Sequence, residues 1–187
     1  MLFVIEHLEP KLSEWLHIEY SHAARIIGRN RLLITNVKKK DEFRKLGKIV
    51  RVERKRACEL FKQRELIVLD PRARKRLSPT DMRGRGVIVI GGILGEAPPL
   101  GRTRELLTRI LPRASARNLG KEQLAIDGAT YVAKQVSEGK SLEEVPVQHG
   151  LEIQISKVQS TFLPYTFPLV KGKPLISREL IAYLKRH

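Results

Sequence analysis

Val87-Ile88-Val89-Ile90-Gly91-Gly92-Ile93-Leu94-Gly95 begins as an unbroken apolar run of strand length and stops abruptly at its glycines. A strand with no polar side has no face to offer water, so it reads as buried on both faces, the situation of a parallel sheet covered by helices. Leu66-Ile67-Val68-Leu69 has the same character and ends at Asp70-Pro71. Two more apolar stretches, residues 2–5 and 32–37, read as further strands. Between these two, Ser13 is placed to cap a helix with Glu14 in its first turn. Leu16, Tyr20, Ala23 and Ile27 share one face of it until Gly28 stops it. Short helices are expected over residues 41–46, closed by Gly47, then over 54–62 and 103–111, with a small extended piece starting at 49–50. A longer helix is expected over 121–137, carrying Leu124, Ile126, Ala129, Val132, Ala133 and Val136. After Pro146 the pattern changes to alternation, Leu151-Glu152-Ile153-Gln154-Ile155. Residues 162–170, a Lys171-Gly172-Lys173-Pro174 turn and a closing helix from about Arg178 follow. Strands alternating with helices predict a layered α/β domain.

The chain has 187 residues, the size of one domain with one core, and the reading takes 1–187 as a single domain. It carries 36 Lys and Arg against 20 Asp and Glu, a net charge of +16, with 42% hydrophobic and 5% aromatic residues. This balance excludes a disordered acidic chain and a collagen-like one. The longest apolar run, residues 87–94, is far shorter than the roughly 20 residues that cross a bilayer, so no membrane partner is expected. The first residues lack the basic and apolar regions of a signal peptide, and the expected location is the cytoplasm. Cys58 is the single cysteine, which excludes an internal disulfide or a zinc cage. His7, His17, His22, His149 and His187 show no ligand spacing, so no metal site is expected.

Between residues 38 and 76 there are 16 basic and 6 acidic residues, so most of the excess charge is concentrated there. Such a tract attracts polyanions, and a nucleic acid is the first partner to consider, against the plainer reading of a solvated surface. Phe43 and Phe61 are its only aromatics, too few for a base-stacking platform, which favours contact with the phosphate backbone.

In open parallel sheets ligands bind beyond the carboxyl ends of the strands. The informative exits are Glu6-His7, Asp70-Pro71-Arg72 and Gly91 to Gly95, the last allowing close approach of backbone to a ligand. No Gly-Lys-Ser or Gly-Lys-Thr follows, so this is not a nucleotide P-loop, and no Gly-x-Ser-x-Gly elbow is present. Carboxylates are the better chemical candidates: Glu6, Glu14, Glu19 and Asp70 are minority charges in a basic chain. Against this stand the ordinary roles of a helix first-turn residue for Glu14, a surface ion pair for Glu19 and a strand-ending turn for Asp70-Pro71.

Taken in order, Ile5-Glu6-His7, Ser13-Glu14-Trp15, Glu19-Tyr20, Leu69-Asp70-Pro71-Arg72-Ala73, Gly91-Gly92-Ile93-Leu94-Gly95, Pro98-Pro99, Arg102-Thr103 with Glu105-Leu106, and Leu119-Gly120 with Gln123 and Asp127 resemble the small archaeal and eukaryotic branch of the SPOUT methyltransferases. The likeness runs in register over residues 2–129 and more weakly over 175–184. The branch includes proteins regarded as RNA methyltransferases and a yeast enzyme that methylates arginine on a small-subunit ribosomal protein.

The resemblance implies a SPOUT fold, a parallel sheet flanked by helices with a C-terminal trefoil knot, and assigns the knot and cofactor region to 91–140. It implies S-adenosylmethionine as cofactor, held by backbone groups at Gly91, Gly92, Ile93, Leu94, Gly95, Arg117, Leu119, Gly120, Gln123 and Leu124. Asn118 departs from the pattern, where a second basic residue is expected. For an arginine acceptor, Glu6, Glu19 and Asp70 are the expected catalytic residues, because a carboxylate can grip the guanidinium fork. For an RNA acceptor, Arg72, Arg102 or Arg117 would hold phosphate with Asp70 as base. The reading favours an arginine of a ribosomal protein, with ribosomal RNA as the polyanion docked by residues 38–76. The alternatives are methylation of ribosomal or transfer RNA, and a non-catalytic ribosome-binding protein.

Overall fold

The two continuous apolar runs lie side by side. In a computed structural model, which describes residues 1–95, 100–120, 123–156 and 158–186, Leu66–Leu69 and Val87–Gly92 are paired parallel strands. They belong to a six-stranded sheet built from β1 (Leu2–His7), β2 (Leu32–Thr35), β3 (Arg51–Val52), β4 (Leu66–Leu69), β5 (Val87–Gly92) and β6 (Ser115–Arg117). The spatial order is β3-β2-β1-β5-β4-β6, with all pairings parallel. Burial on both faces is realised residue by residue. Ile67, Leu69, Ile88 and Ile90 enter one core and Leu66, Val68, Val87 and Val89 enter the other.

The first core lies under α1 (Glu14–Ile27) and α5 (Ile126–Ser137), which pack on each other. Ser13 caps α1 as expected, its Oγ accepting from Leu16 N at 3.1 Å, and Gly28 at φ 89° ends it. Tyr20 is the largest side chain in this core and is fully buried. The second core, on the other face, takes Ala57, Leu107 and Leu111 from the connections.

Several boundaries differ from expectation. The helix expected at 41–46 is α2, Lys40–Gly47, and the extended piece expected to start at 49–50 is β3, one residue later. The helix expected over 54–62 shrinks to α3, Ala57–Leu60. The preceding residues are bound to the exit of β2, with Asn36 N donating to Lys55 O and Val37 N to Glu53 O. The helix expected over 103–111 divides into α4, Arg102–Leu106, and a 3-10 turn, Thr108–Ile110, around fully buried Leu107. α5 starts at Ile126, because the backbone just before it pairs with the C-terminal strands: Thr166 N donates to Gln123 O at 2.8 Å. Lys121, where that helix was expected to begin, and Pro98-Pro99 lie outside the described residues.

The alternating tail forms an antiparallel ribbon of β7 (Val147–Gln154), β8 (Ser160–Val170) and β9 (Lys173–Pro174), followed by α6 (Arg178–Leu184). Lys171 and Gly172 both have positive φ, 52° and 74°, as a two-residue hairpin turn of this hand requires. Ile153, Leu163 and Phe167 pack the ribbon against Trp15 of α1 and Ile181 of α6. Among the described residues no helix is long and apolar enough to cross a membrane.

Candidate active site

Because every strand of the sheet is parallel to its neighbours, the exits of β4, β5 and β6 open at one edge. Asp70, Pro71 and Arg72 leave β4, Ile93, Leu94 and Gly95 leave β5, and Leu119 and Gly120 lie beyond β6. With Arg102 and Thr103 of α4 they wall a cleft of about 270 Å³, and Gln123, Leu124, Ile126 and Ala129 complete it. This is where an open parallel sheet is expected to hold a ligand.

Eight of the ten residues expected to hold a cofactor meet in this cleft: Gly91, Ile93, Leu94, Gly95, Leu119, Gly120, Gln123 and Leu124. Gly92 does not line it. It is buried behind, with its carbonyl accepting from Leu8 N at 3.2 Å and from the Tyr20 hydroxyl at 3.4 Å. Nor does Arg117, whose Nε and Nη2 both donate to Asp81 Oδ1, at 2.9 and 2.6 Å. Its carbonyl accepts from Asp70 N and so fixes the exit of β4. Desolvation alone would push the Asp81 carboxyl up, but the hydrogen bonds from Arg117 and Ser78 hold it below its ordinary value.

The three expected carboxylates separate. Asp70 lies on the cleft wall, 2% exposed. Its Oδ1 accepts from Arg72 N and its Oδ2 from Thr108 Oγ1, both at 2.8 Å. Glu6 lies outside the cleft and is 1% exposed. Its Oε1 accepts from Arg56 Nε at 2.6 Å, and its Oε2 accepts from Ala57 N at 2.7 Å and Thr35 Oγ1 at 3.3 Å, tying β1 to β2 and to α3. Glu19 lies behind the cleft wall, where Oε1 accepts from Trp15 Nε1 at 2.6 Å and Oε2 from Ile126 N at 3.0 Å. Burial and the nearby charge of Asp127 push its carboxyl up to about 8. Asp127 in turn pairs with His22 Nδ1 at 2.6 Å.

One carboxylate was missed. Glu9 Oε1 accepts from Leu94 N at 2.9 Å and pairs with Arg102 Nη2 at 3.1 Å, and the same Nη2 donates to Leu94 O at 2.8 Å. The strand-exit rule reaches Glu9 once β1 is seen to end at His7 rather than at residue 5. Behind the same loop, His7 Nδ1 lies 3.0 Å from the Tyr20 hydroxyl and its Nε2 3.7 Å from Glu42 Oε2. Burial, the dominant effect, holds the imidazole below its ordinary 6.5, so His7 is neutral at pH 7.

The basic residues in the cleft wall are Arg72 and Arg102. Arg72 Nη2 donates to Leu100 O at 3.3 Å, and Arg56 Nη2, outside the cleft, donates to Leu106 O at 2.8 Å, which links the basic tract to both ends of α4. Farther out, Lys38 and Arg54 each donate to the other's carbonyl, and Arg54 lies 5.0 Å over the ring of Phe43.

Comparison with known proteins covers the whole fold. The family described as protein arginine N-methyltransferase SFM1-like matches residues 2–187. The protein arginine N-methyltransferase SFM1 of Saccharomyces cerevisiae is 31% identical over 202 residues, spanning 100% of this chain and 95% of that protein. The crystal structure of yeast SFM1 complexed with SAM superposes with a TM-score of 0.88 at 27% identity, covering 99% of this chain and 90% of that one. The dual-specific Trm10 of Thermococcus kodakaraensis, at 20% identity and a TM-score of 0.58, covers 77% of this chain and 96% of its own. That likeness places the sheet and its helices in the SPOUT fold. The chain belongs to the SFM1-like family of protein arginine N-methyltransferases.

Proposed function

We propose that this chain is an S-adenosylmethionine-dependent protein arginine methyltransferase, acting in the cytoplasm on an arginine of a ribosomal protein. The observation that carries the reading is the cleft at the exits of β4, β5 and β6, with its glycine-bearing wall, in a chain that aligns end to end with an arginine methyltransferase. The residues suit the cofactor. Gly91 lines the cleft, and a Cβ there would make ordinary contacts, 3.4 Å from Thr103 Oγ1 and 3.5 Å from Ile93. Gly120, at φ 120°, adopts a conformation that L side chains rarely take, leaving its backbone accessible. Ile93, Leu94, Leu119 and Leu124 offer apolar surface for a purine, while Asp70 and Arg72 offer charges for an amino-acid tail. When bound, S-adenosylmethionine supplies an electrophilic methyl group on a sulfonium.

The chain's own contribution is position and charge. Asp70, fixed by Arg72 N and Thr108, sets an immobile negative charge on the wall, which favours a cationic acceptor. Glu19 holds the first amide of α5, and Glu6 holds the exit of β1, each acting from behind the cleft. The basic tract, which meets the cleft wall at Arg72, supports docking on ribosomal RNA around the acceptor. The reading includes a trefoil path for the chain after β6. It is supported by the return of α5 from the β6 edge across the sheet to β5 and α1.

The test is transfer of labelled methyl from S-adenosylmethionine to ribosomes from cells lacking this protein, followed by separate protease and nuclease digestion. Label released by protease and recovered as methylarginine is the expected result. Label released by nuclease would move the acceptor to RNA. Failure to bind S-adenosylmethionine in calorimetry would leave a non-catalytic ribosome-binding protein.

A further inference from the structure

The carboxylates at and behind the cleft differ in how their oxygens are committed. Both oxygens of Asp70, Glu6 and Glu19 accept hydrogen bonds from within the chain. Glu9 is different. Leu94 N and Arg102 Nη2 share its Oε1, and Oε2 accepts no hydrogen bond among the described residues, although the side chain is only 14% exposed. A carboxylate offers about four acceptor positions, so a full oxygen remains for a donor from outside.

The neighbouring geometry shows which donor suits it. Arg102 Nη2 is held between a carboxylate oxygen of Glu9 and the carbonyl of Leu94, so this corner already accommodates one guanidinium. Glu9 does not itself line the cleft, but Leu94 and Arg102, the two residues its carboxylate contacts, are part of the cleft wall. Because Leu94 N fixes Oε1, the carboxylate is oriented before any acceptor arrives. A guanidinium carries a planar fork of N–H donors that matches such an acceptor, and the charge of the pair makes the hydrogen bond short and strong.

We propose that Glu9 Oε2 binds the guanidinium of the acceptor arginine and orients it at the mouth of the cleft, an assignment that rests on the arginine reading above. Glu9 is then a substrate-binding residue, and Leu94 and Arg102 position it.

The test is Glu9→Gln, which keeps the size of the side chain and an Oε1 acceptor for Leu94 N but puts an N–H donor where Oε2 stood, facing the donors of the guanidinium. Methyl transfer to ribosomes, the affinity for S-adenosylhomocysteine and the melting temperature are read together. The expected result is a loss of roughly thirtyfold or more in kcat/KM, with cofactor affinity within about threefold of the parent. Turnover like that of the parent overturns the proposal. So does a parallel loss of cofactor affinity, which would assign Glu9 to holding the Leu94 loop. The two readings fail separately. Label on RNA in the unaltered enzyme's product overturns the arginine reading, whereas label on protein with a fully active Glu9→Gln variant overturns only the role of Glu9.

Discussion

Tyr165 donates its hydroxyl to the carbonyl of Gly95 at 3.1 Å, across 70 residues of sequence. Its neighbour Thr166 donates its amide to Gln123 O, so two consecutive residues of β8 grip two separate segments of the cleft. Tyr165→Phe keeps the ring and removes the hydroxyl's neutral hydrogen bond to Gly95 O, worth about 0.5–1.5 kcal/mol. The bond exists before any ligand binds, so the expected outcome is a melting temperature lower by roughly 1–6 °C, together with weaker affinity for S-adenosylhomocysteine by calorimetry as the Gly95 loop relaxes. Unchanged affinity would show that the ribbon does not set the loop.

Gly91 and Gly92 are adjacent but do different work. A Cβ at Gly92 would fall 2.1 Å from the hydroxyl of Tyr20 and 2.8 Å from the carbonyl of Glu6, inside a core with no space to yield. Overpacking of this kind costs about 1–3 kcal/mol, so Gly92→Ala is expected to lower the melting temperature by roughly 3–10 °C. At Gly91 the added carbon meets ordinary contacts, and it intrudes on the cleft instead. Gly91→Ala is expected to melt close to the parent while binding cofactor more weakly. Thermal melts paired with calorimetry on both variants check the division, and equal effects on both readouts would refute it.

The Glu19 carboxyl gives stability a pH dependence whose sign follows from its environment. Burial and Asp127 raise it from an ordinary 4.5 to about 8 in the folded chain. The folded state therefore binds the extra proton between these values, and stability is fully present below pH 4.5 and is lost as pH rises through about 8. His7 and His17, whose values are lowered by burial, act in the opposite sense, but only below 6.5. The window from pH 6.5 to 8.5 thus isolates Glu19 among the shifts resolved for the described groups. Melting temperature is expected to fall across it in the parent and to stay flat in Glu19→Gln, which gives up one of two accepted hydrogen bonds, at about 1 kcal/mol.

What the sequence made legible were the features written in contiguous residues. The apolar runs at β4 and β5, of strand length and ended by Asp70-Pro71 and the glycines, point to strands covered on both faces, and Ser13 with Glu14 marks the start of α1 on its own. The strand Ser115–Arg117 has no apolar run to announce it. It exists because β4 offers it an edge, with Ile67 opposite Ser115 and Leu69 opposite Arg117. The fate of the carboxylates was illegible for the same reason. Whether Glu6 faces a ligand depends on Arg56, 50 residues away, and whether Glu19 does depends on Ile126, 107 away. Ending β1 at residue 5 made Glu6 a strand-exit residue, whereas β1 runs to His7, so Glu6 is still inside the sheet and Glu9 stands just past the true exit.

If the basic tract docks on RNA phosphates, its contribution must weaken with salt in proportion to the number of phosphates engaged. Releasing condensed counterions lowers the logarithm of affinity by about 0.7 to 0.9 per phosphate for each decade of salt. Lys55, Arg74 and Lys75 are exposed. They stand on the tract near Arg72, which lines the cleft, and near Arg56, which reaches the C-terminal end of α4. Changing all three to Gln is expected to raise KM for ribosomes and to reduce the slope of log(kcat/KM) against log salt by about 2. The slope is the discriminating quantity, because general damage to the fold would lower activity at every salt concentration without flattening it. A variant with the parent's slope would mean that these side chains meet only solvent and that ribosome recognition lies elsewhere.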